Sequence, residues 1–446
     1  MSGVAGMLHD LWYTNIVCID AVQSELTDRL QAKWLKVIIG HGKYKVQFWD
    51  AIIYSEATAE SEEVLEARKL RKDKRKIMVM LNYFQFLWEI SKYFSTTWFT
   101  GTNGKSSSTA LAIHTAKNIL PNFWLGILGA LVPSFDNKSY VINSKAKKDI
   151  KNIFDYIFTG KNLDYKAIKK WNFFVEACEY KRHFLYLDLD YAIITSLELD
   201  HTDYYKDMKD YLSAFQQLIS KVKNKIFTPK WLKWLTSKKI KEIPIKDIKF
   251  TRLLGNHNNI NGSLVIELIK ELTNQCRRKI TNEMKLFWWI WRRMEYLTTT
   301  TNGAKIFTDY GHMASSIDLW YEALKQKFPD KKIFVIFQPH QINRIVTWRK
   351  GFQKALKKYD QIIVYDIYAA RENLSELVKK IPTLKDIKTL KQLGDKFAEA
   401  CGWIYTDKFE DITKEIEQTD KNSMIVVYSA GDVDYRIRRR KSNKGF

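Results

Sequence analysis

Between Thr96 and Ala116 the chain reads TTWFTGTNGKSSSTALAIHTA, a β-like run, a glycine-bearing turn and an Ala/Leu-rich helix. A strand that turns through glycines straight into a helix places that turn at the edge of an α/β sheet. Gly101 and Gly104 let backbone N–H groups approach phosphate oxygens, and the helix N-terminus adds partial positive charge. Lys105 is expected to reach the terminal phosphates and Ser106 to hold Mg²⁺. The general phosphate-loop pattern wants glycine six residues before the lysine, where Phe99 stands, so only the shorter GTxGKS form fits.

The rest of the chain repeats short apolar strands with longer amphipathic segments, as parallel α/β units do. Strands are expected at 15–20, 36–39 and 50–55, with helices at 24–33 and 61–75. A second α/β region begins at about Thr96 and runs through strands 172–177 and 191–196 to about Met284. A third carries strands 305–310, 332–337, 361–365 and 423–428. The expectation is an α/β chain of three domains, at 1–94, 95–284 and 285–446.

Further polar groups fall after strands, where open α/β sheets bind ligands. Glu176 stands in FFVEACEY, and ELDHTD brings His201 just after strand 191–196. A carboxylate and a neutral imidazole there suit a divalent cation together with phosphate oxygens. Taken singly, each is more often a cap or a surface group, and the phosphate loop upstream reverses that balance. Gly255–Asn261, GNHNNIN, is a turn-prone run before an apolar helix at 263–272, and its amides fit an adenine edge or a simple N-cap. In the last region Arg292, Asp309, His312, His340 and Arg344 lie near strand ends.

Charge is less informative. The 73 basic against 50 acidic residues give +23, which suits nucleic acid, anionic small molecules or a merely solvated surface. The densest basic runs, 68–76 and 436–444, are far apart, and no RNA-binding signature, helix-turn-helix or zinc-finger spacing accompanies them. Cys18, Cys178, Cys276 and Cys401 form no CxxC pair, which fits reduced thiols in a cytoplasmic protein. No stretch reaches the roughly 18 apolar residues of a membrane span, and the start lacks a signal-peptide pattern.

Taken in order, GTNGKSSST, EACE, DHTDYY, GNHNNIN, RRMEYL, DYGH, FQPHQINR, DIYAARE and SAGD resemble the Mur ligases. These are the ATP-dependent amide-forming enzymes of peptidoglycan precursor synthesis. The resemblance implies a Rossmann-like UDP-binding domain, a central P-loop ATPase-type domain and a C-terminal Rossmann-like domain. It implies ATP and Mg²⁺ as cofactors, and UDP-N-acetylmuramate with L-alanine as substrates joined through an acyl phosphate. A monomer or homodimer with no nucleic-acid partner is implied as well.

By the same resemblance Gly101, Thr102, Asn103, Gly104, Lys105, Ser106 and Ser107 would bind ATP, with Ser106, Glu176 and His201 on the metal. Lys105, Glu176 and His201 would carry the chemistry. His257, Asn258, Asn261, Arg292 and Asp309 would belong to the nucleotide site, and Asp20, His312, His340 and Arg344 to the substrates. Asn103, Asn256, Met313 and Gln341 depart from the residues usual in the alanine-adding branch. The acceptor therefore stays open between L-alanine and a recycled peptide. A ligase acting on folate and a basic nucleic-acid-binding protein are the rival readings.

Two further expectations concern the chain itself. The family opens with a strand and a GIGGxGMSG loop, and Met1-Ser2-Gly3 matches the tail of that loop, so a start assigned too late is expected. Glycine is scarce, 18 in 446, about 4% against a usual share of about 7%, while tryptophan numbers 15. Trp12, Trp34, Trp98, Trp231, Trp234, Trp289, Trp320 and Trp403 stand in or beside places where glycine is expected. UGA codons that specify glycine but are read as tryptophan would produce this pattern. A bulky indole at Trp98, on the strand entering the loop, is expected to be hard to place.

Overall fold

The computed structural model describes residues 1–72, 79–160, 171–186, 188–370 and 372–444, with side chains as far as Lys441. Residues 73–76 of the first basic run and Arg371 of DIYAARE lie outside the described residues, as do the side chains of the second run beyond Lys441. The chain gathers into two units, 1–249 with 259–288, and 250–258 with 289–446.

The first unit is built on seven strands in the order Ile240–Ile243, Lys225–Pro229, Tyr191–Ile194, Ser95–Thr100, Asn172–Glu176, Phe123–Val132 and Lys138–Ile142. All neighbours run parallel except the last pair. Strands such as NFFVE and YAII are apolar on both faces because helices cover both sides. Ser95–Thr100 sits at the centre, between Tyr191–Ile194 and Asn172–Glu176. The turn beyond its carboxyl end is therefore flanked by the ends of two other strands.

Ahead of that sheet the described residues among the first 94 form two separate parallel pairs, Val17–Asp20 with Lys36–Ile39 and Ile52–Tyr54 with Met80–Asn82. The helix Ser2–Asp10 sends Val4 and Met7 into the same core as Phe86 and Leu87. The second unit holds six strands in the order Glu295–Thr299, Lys305–Asp309, Ser423–Ser429, Lys332–Gln338, Gln361–Tyr365 and Ile404–Thr406, parallel except for the first pair. Each face of this sheet carries its own apolar cluster. No helix among the described residues is long and apolar enough to cross a membrane.

The expected strands are present with ends shifted by a residue or two, and one expectation needs correction. The NHNN run does not precede its helix but forms its first turn: the helix spans Asn256–Leu272, not 263–272. Gly255, at φ +84°, supplies the left-handed entry that starts it early.

Of the eight tryptophans singled out, only Trp12 (φ 66°) and Trp34 (φ 62°) adopt the left-handed region. Both end helices in the same way. Trp12 N–H donates to His9 O and Tyr13 N–H to Leu8 O; Trp34 N–H donates to Gln31 O and Leu35 N–H to Leu30 O. This paired bonding is the Schellman motif, whose left-handed position is normally glycine. The chain makes the same turn with glycine at Gly402, φ 71°, where Gly402 N–H meets Glu399 O and Trp403 N–H meets Ala398 O. Trp98 is fully buried in the core of the first sheet, and the difficulty there is polar and not steric: its indole N–H has no acceptor.

A left-handed L-residue costs about 1–2 kcal/mol, so glycine at either turn should stabilise the fold. Trp34 is 96% exposed, whereas Trp12 lies 5.6 Å from the Lys147 ammonium and loses that contact on removal. Trp34→Gly is therefore expected to stabilise by about 1 kcal/mol and Trp12→Gly by somewhat less. Thermal melts of the two variants check this, and a lowered midpoint for Trp34→Gly would contradict it.

Candidate active site

The turn 101–104 is held by the neighbouring strand end. Thr102 N–H donates to Ser196 O (3.1 Å), Asn103 N–H to Ser196 Oγ (2.8 Å), and Thr195 Oγ1 donates to Asn103 O. Thr102 Oγ1 donates to Glu198 O (2.7 Å). Gly101 and Gly104 have φ of +123° and +89°. A Cβ at Gly101 would lie 2.5 Å from Thr195 Oγ1 and 2.7 Å from Ser196 O; one at Gly104 would lie 2.6 Å from Asn261 Oδ1. Only glycine fits either place. The helix Lys105–Ile119 begins directly at Gly104, so its free N–H groups and its dipole face the loop. The arrangement fits a phosphate.

Lys105 folds back over the loop. Its ammonium donates to Gly101 O (2.6 Å) and Thr102 O (3.2 Å) and lies 3.1 Å from each carboxylate oxygen of Glu179. Burial pulls this ammonium down, but Glu179, with Asp200 and Glu176 behind it, outweighs burial and holds it above the ordinary lysine range. Cys178, between the two glutamates, is pushed up to about 12 by burial first and then by Glu179, so its thiol stays protonated.

Around Lys105 the acidic groups fall into two sets. Ser106 Oγ donates to Glu176 Oε1 (2.8 Å), while Glu176 Oε2 accepts from Gly129 N–H (2.7 Å). Glu179, Asp200 and His201 offer ligand atoms within 4.8 Å of one another. His201 Nε2 is 3.9 Å from both Glu179 Oε1 and Asp200 Oδ2, and its own backbone is left-handed, φ 53°. Carboxylates, a hydroxyl and one imidazole are donors that suit a hard divalent cation beside phosphate. Sequence reasoning named Ser106, Glu176 and His201 but passed over Glu179 and Asp200, although both stand inside the motifs EACE and DHTDYY.

The remaining candidates occupy definite places. Asn261 is buried, with its Oδ1 turned toward Gly104. His257 and Asn258, one turn earlier, belong to the second unit. Burial pushes the His257 imidazole down to about 4, so it is neutral at pH 7, and it meets the Trp320 ring edge-on at 4.4 Å. Asn258 Nδ2 donates to Leu254 O (2.7 Å). Asp20 ends its strand level with Ile39, which places it beside Gly40-His41, and Gly40 N–H donates to Asp20 O (2.8 Å).

In the second unit Arg292 and Met294 are left-handed, at φ 54° and 45°. Asp309 braces this loop by accepting from Met294 N–H and Gly311 N–H, both at 2.7 Å. The Arg292 guanidinium meets Ser429 O, Gly431 O (3.3 Å) and Asp434 (3.4 Å), and Asp434 is bonded in turn to Arg438 (2.9 Å). Arg344 is buried and donates to His312 O (3.2 Å). His340 stacks on Tyr368 with ring centres 5.9 Å apart, next to left-handed Gln341.

Comparison with known proteins gives two family matches: the Mur ligase middle domain over residues 99–247 and the Mur ligase glutamate ligase domain over 292–431. Among solved structures, a UDP-N-acetylmuramate–alanine ligase from Thermotoga maritima is 19% identical with a TM-score of 0.71, over 99% of this chain and 97% of that one. A murein peptide ligase from Psychrobacter arcticus is 16% identical, TM-score 0.62, over 99% and 96%. A folylpolyglutamate synthase from Mycobacterium tuberculosis, complexed with ADP and AMPPCP, is 11% identical, TM-score 0.53, over 79% and 91%.

Burial lifts the Asp309 carboxyl to about 6, against the pull of Arg293, the two amides and Arg292. The folded chain thus holds this proton more tightly than the unfolded one. Its contribution to stability is complete below about pH 4 and is lost as pH rises through about 6. Denaturation midpoints at pH 4 and pH 6.5 should therefore fall more steeply for the native chain than for Asp309→Asn. Equal slopes would refute the shift.

Proposed function

Since the chain belongs to the Mur ligase family, a family of ATP-dependent ligases, we propose that it joins the carboxylate of UDP-N-acetylmuramate to L-alanine in the cytoplasm. The observation that supports this reading is the junction of the loop 101–104 with two strand ends: Lys105 folds over the loop, Ser106 Oγ donates to Glu176, and His201 lies 3.9 Å from the Glu179 carboxylate that meets Lys105. ATP would lie with its terminal phosphates over residues Gly101 to Ser107, on the N–H groups that the bonds of Thr102 and Asn103 to Ser196 leave open, with Lys105 on the γ-phosphate. Ser106, Glu176 and His201 would hold Mg²⁺, which when bound neutralises phosphate charge.

The muramoyl carboxylate attacks the γ-phosphate to give an acyl phosphate and ADP, and the amine of the amino acid then displaces phosphate. Such transfer is mainly positioning and charge stabilisation, which a fixed ammonium and aligned amides supply. Asn261 lies near enough to the loop to steady it, and His257, Asn258, Arg292 and Asp309 would complete the nucleotide site. Asp20 would face the UDP moiety; His312, His340 and Arg344 would face the muramoyl carboxylate and the amino acid.

The likeness to the murein peptide ligase, together with Gln341, keeps a recycled peptide as the second acceptor. An acceptor panel with UDP-N-acetylmuramate and Mg·ATP separates the two: turnover with L-alanine supports the first reading, turnover with a murein tripeptide alone the second. Lys105→Ala should lower acceptor-dependent phosphate release by about 10²–10³-fold. Undiminished release would refute the assignment of the loop.

A further inference from the structure

Among the described residues Glu179 is the acidic group that touches Lys105 directly. Its side chain is fully buried, and both carboxylate oxygens lie 3.1 Å from Lys105 Nζ. The Tyr211 hydroxyl donates to Glu179 Oε1 (3.3 Å) and lies 2.9 Å from Thr102 Oγ1, while the Tyr205 hydroxyl donates to Glu179 O (2.5 Å). Glu179 is thus fixed at its backbone, and its carboxylate lies beside the Tyr211 hydroxyl, which also approaches Thr102 of the loop that Lys105 covers.

An ammonium has three N–H bonds. Those of Lys105 are divided among Gly101 O, Thr102 O and the Glu179 carboxylate. None is left over. A phosphate oxygen that engages Lys105 must therefore take an N–H from one of these holders, and the anionic holder is the strongest competitor. Glu179 also repels an incoming phosphate across the same few ångströms.

We propose that Glu179 is a positioning residue that exchanges Lys105 with the terminal phosphate of the nucleotide. It holds the ammonium ready in the loop, gives it up when phosphate arrives and takes it back when phosphate leaves. The inference rests on the ligase reading, which places a nucleotide at this loop. A purely structural ion pair would behave differently: removing its charge would loosen the loop and weaken binding, whereas removing a competitor strengthens binding and slows release.

Titration calorimetry with Mg²⁺-free ADP separates the two, using the native chain, Glu179→Gln and Glu179→Asp. Glu179→Gln should bind ADP about fivefold more tightly, the scale expected when a charged partner becomes a neutral one. Its kcat and its KM for ATP should fall together, leaving kcat/KM little changed. Glu179→Asp, which keeps the charge, should stay near native. Unchanged or weaker ADP binding by a folded Glu179→Gln would overturn the exchange. Failure of the native chain to bind ADP would overturn the ligase reading, and the exchange with it. If Glu179→Gln does not fold, Tyr211→Phe, which loosens the carboxylate without removing it, should shift binding in the same direction by a smaller factor; no shift or a weakening would again overturn the exchange.

Discussion

The fit of a four-residue turn against the neighbouring strand end is the constraint on which the candidate site depends. Thr195 and Ser196 meet the 101–104 backbone so closely that a Cβ at Gly101 has no room, and Asn261 closes on Gly104 from the helix Asn256–Leu272. The loop's backbone is thereby fixed before any ligand arrives, so little reorganisation is needed when charge develops on a phosphate. The parallel strand order matters for the same reason. Ser95–Thr100 lies between the strands that end in Glu176 and lead to His201, and so the acidic groups collect around Lys105 without contact from distant loops.

That local charge runs against the average. The chain carries +23, yet around Lys105 the carboxylates of Glu176, Glu179 and Asp200 outnumber the single ammonium. Net charge describes the solvated surface, where Lys and Arg are mostly exposed or in partly exposed pairs worth little each. The site needs the opposite sign because it is suited to a cation and a phosphate together. Net charge alone leaves nucleic acid, anionic small molecules and a solvated surface open; the loop points toward a nucleotide, and the family matches agree with the loop.

Much of this is legible in the residue order. Alternation of apolar strands and amphipathic helices locates the strands, because parallel strands covered on both faces leave continuous apolar runs. Glycines before Lys105 locate the loop, because only glycine accepts those backbone angles at that separation. The misses have equally physical causes. Gly255 reads as part of a turn, yet its positive φ starts the helix at Asn256, since a polar residue's place in a first turn is decided by the bond pattern and not by hydrophobicity. Glu179 stands inside EACE, but its partnership with Lys105 depends on how a short segment after the strand folds back, and no spacing rule encodes that.

Backbone strain sharpens the distinction between the two kinds of unusual residue. His201, Arg292 and Gln341 are left-handed without being glycine, and each is fixed by bonds from its surroundings: His201 N–H to Asp200 Oδ1, Arg292 N–H to Glu295 Oε2, Gln341 N–H to Tyr368 O. Their side chains could not be replaced by hydrogen without losing an imidazole, a guanidinium or an amide. Trp12 and Trp34 carry the same backbone angle at the ends of helices, with side chains 60% and 96% exposed. At those turns the backbone bonds of the Schellman motif do all the structural work and the indole contributes little. The same angle thus occurs in two settings in one chain: at His201 it goes with an imidazole 3.9 Å from two carboxylates, and at Trp34 it marks a turn that glycine would make with less strain.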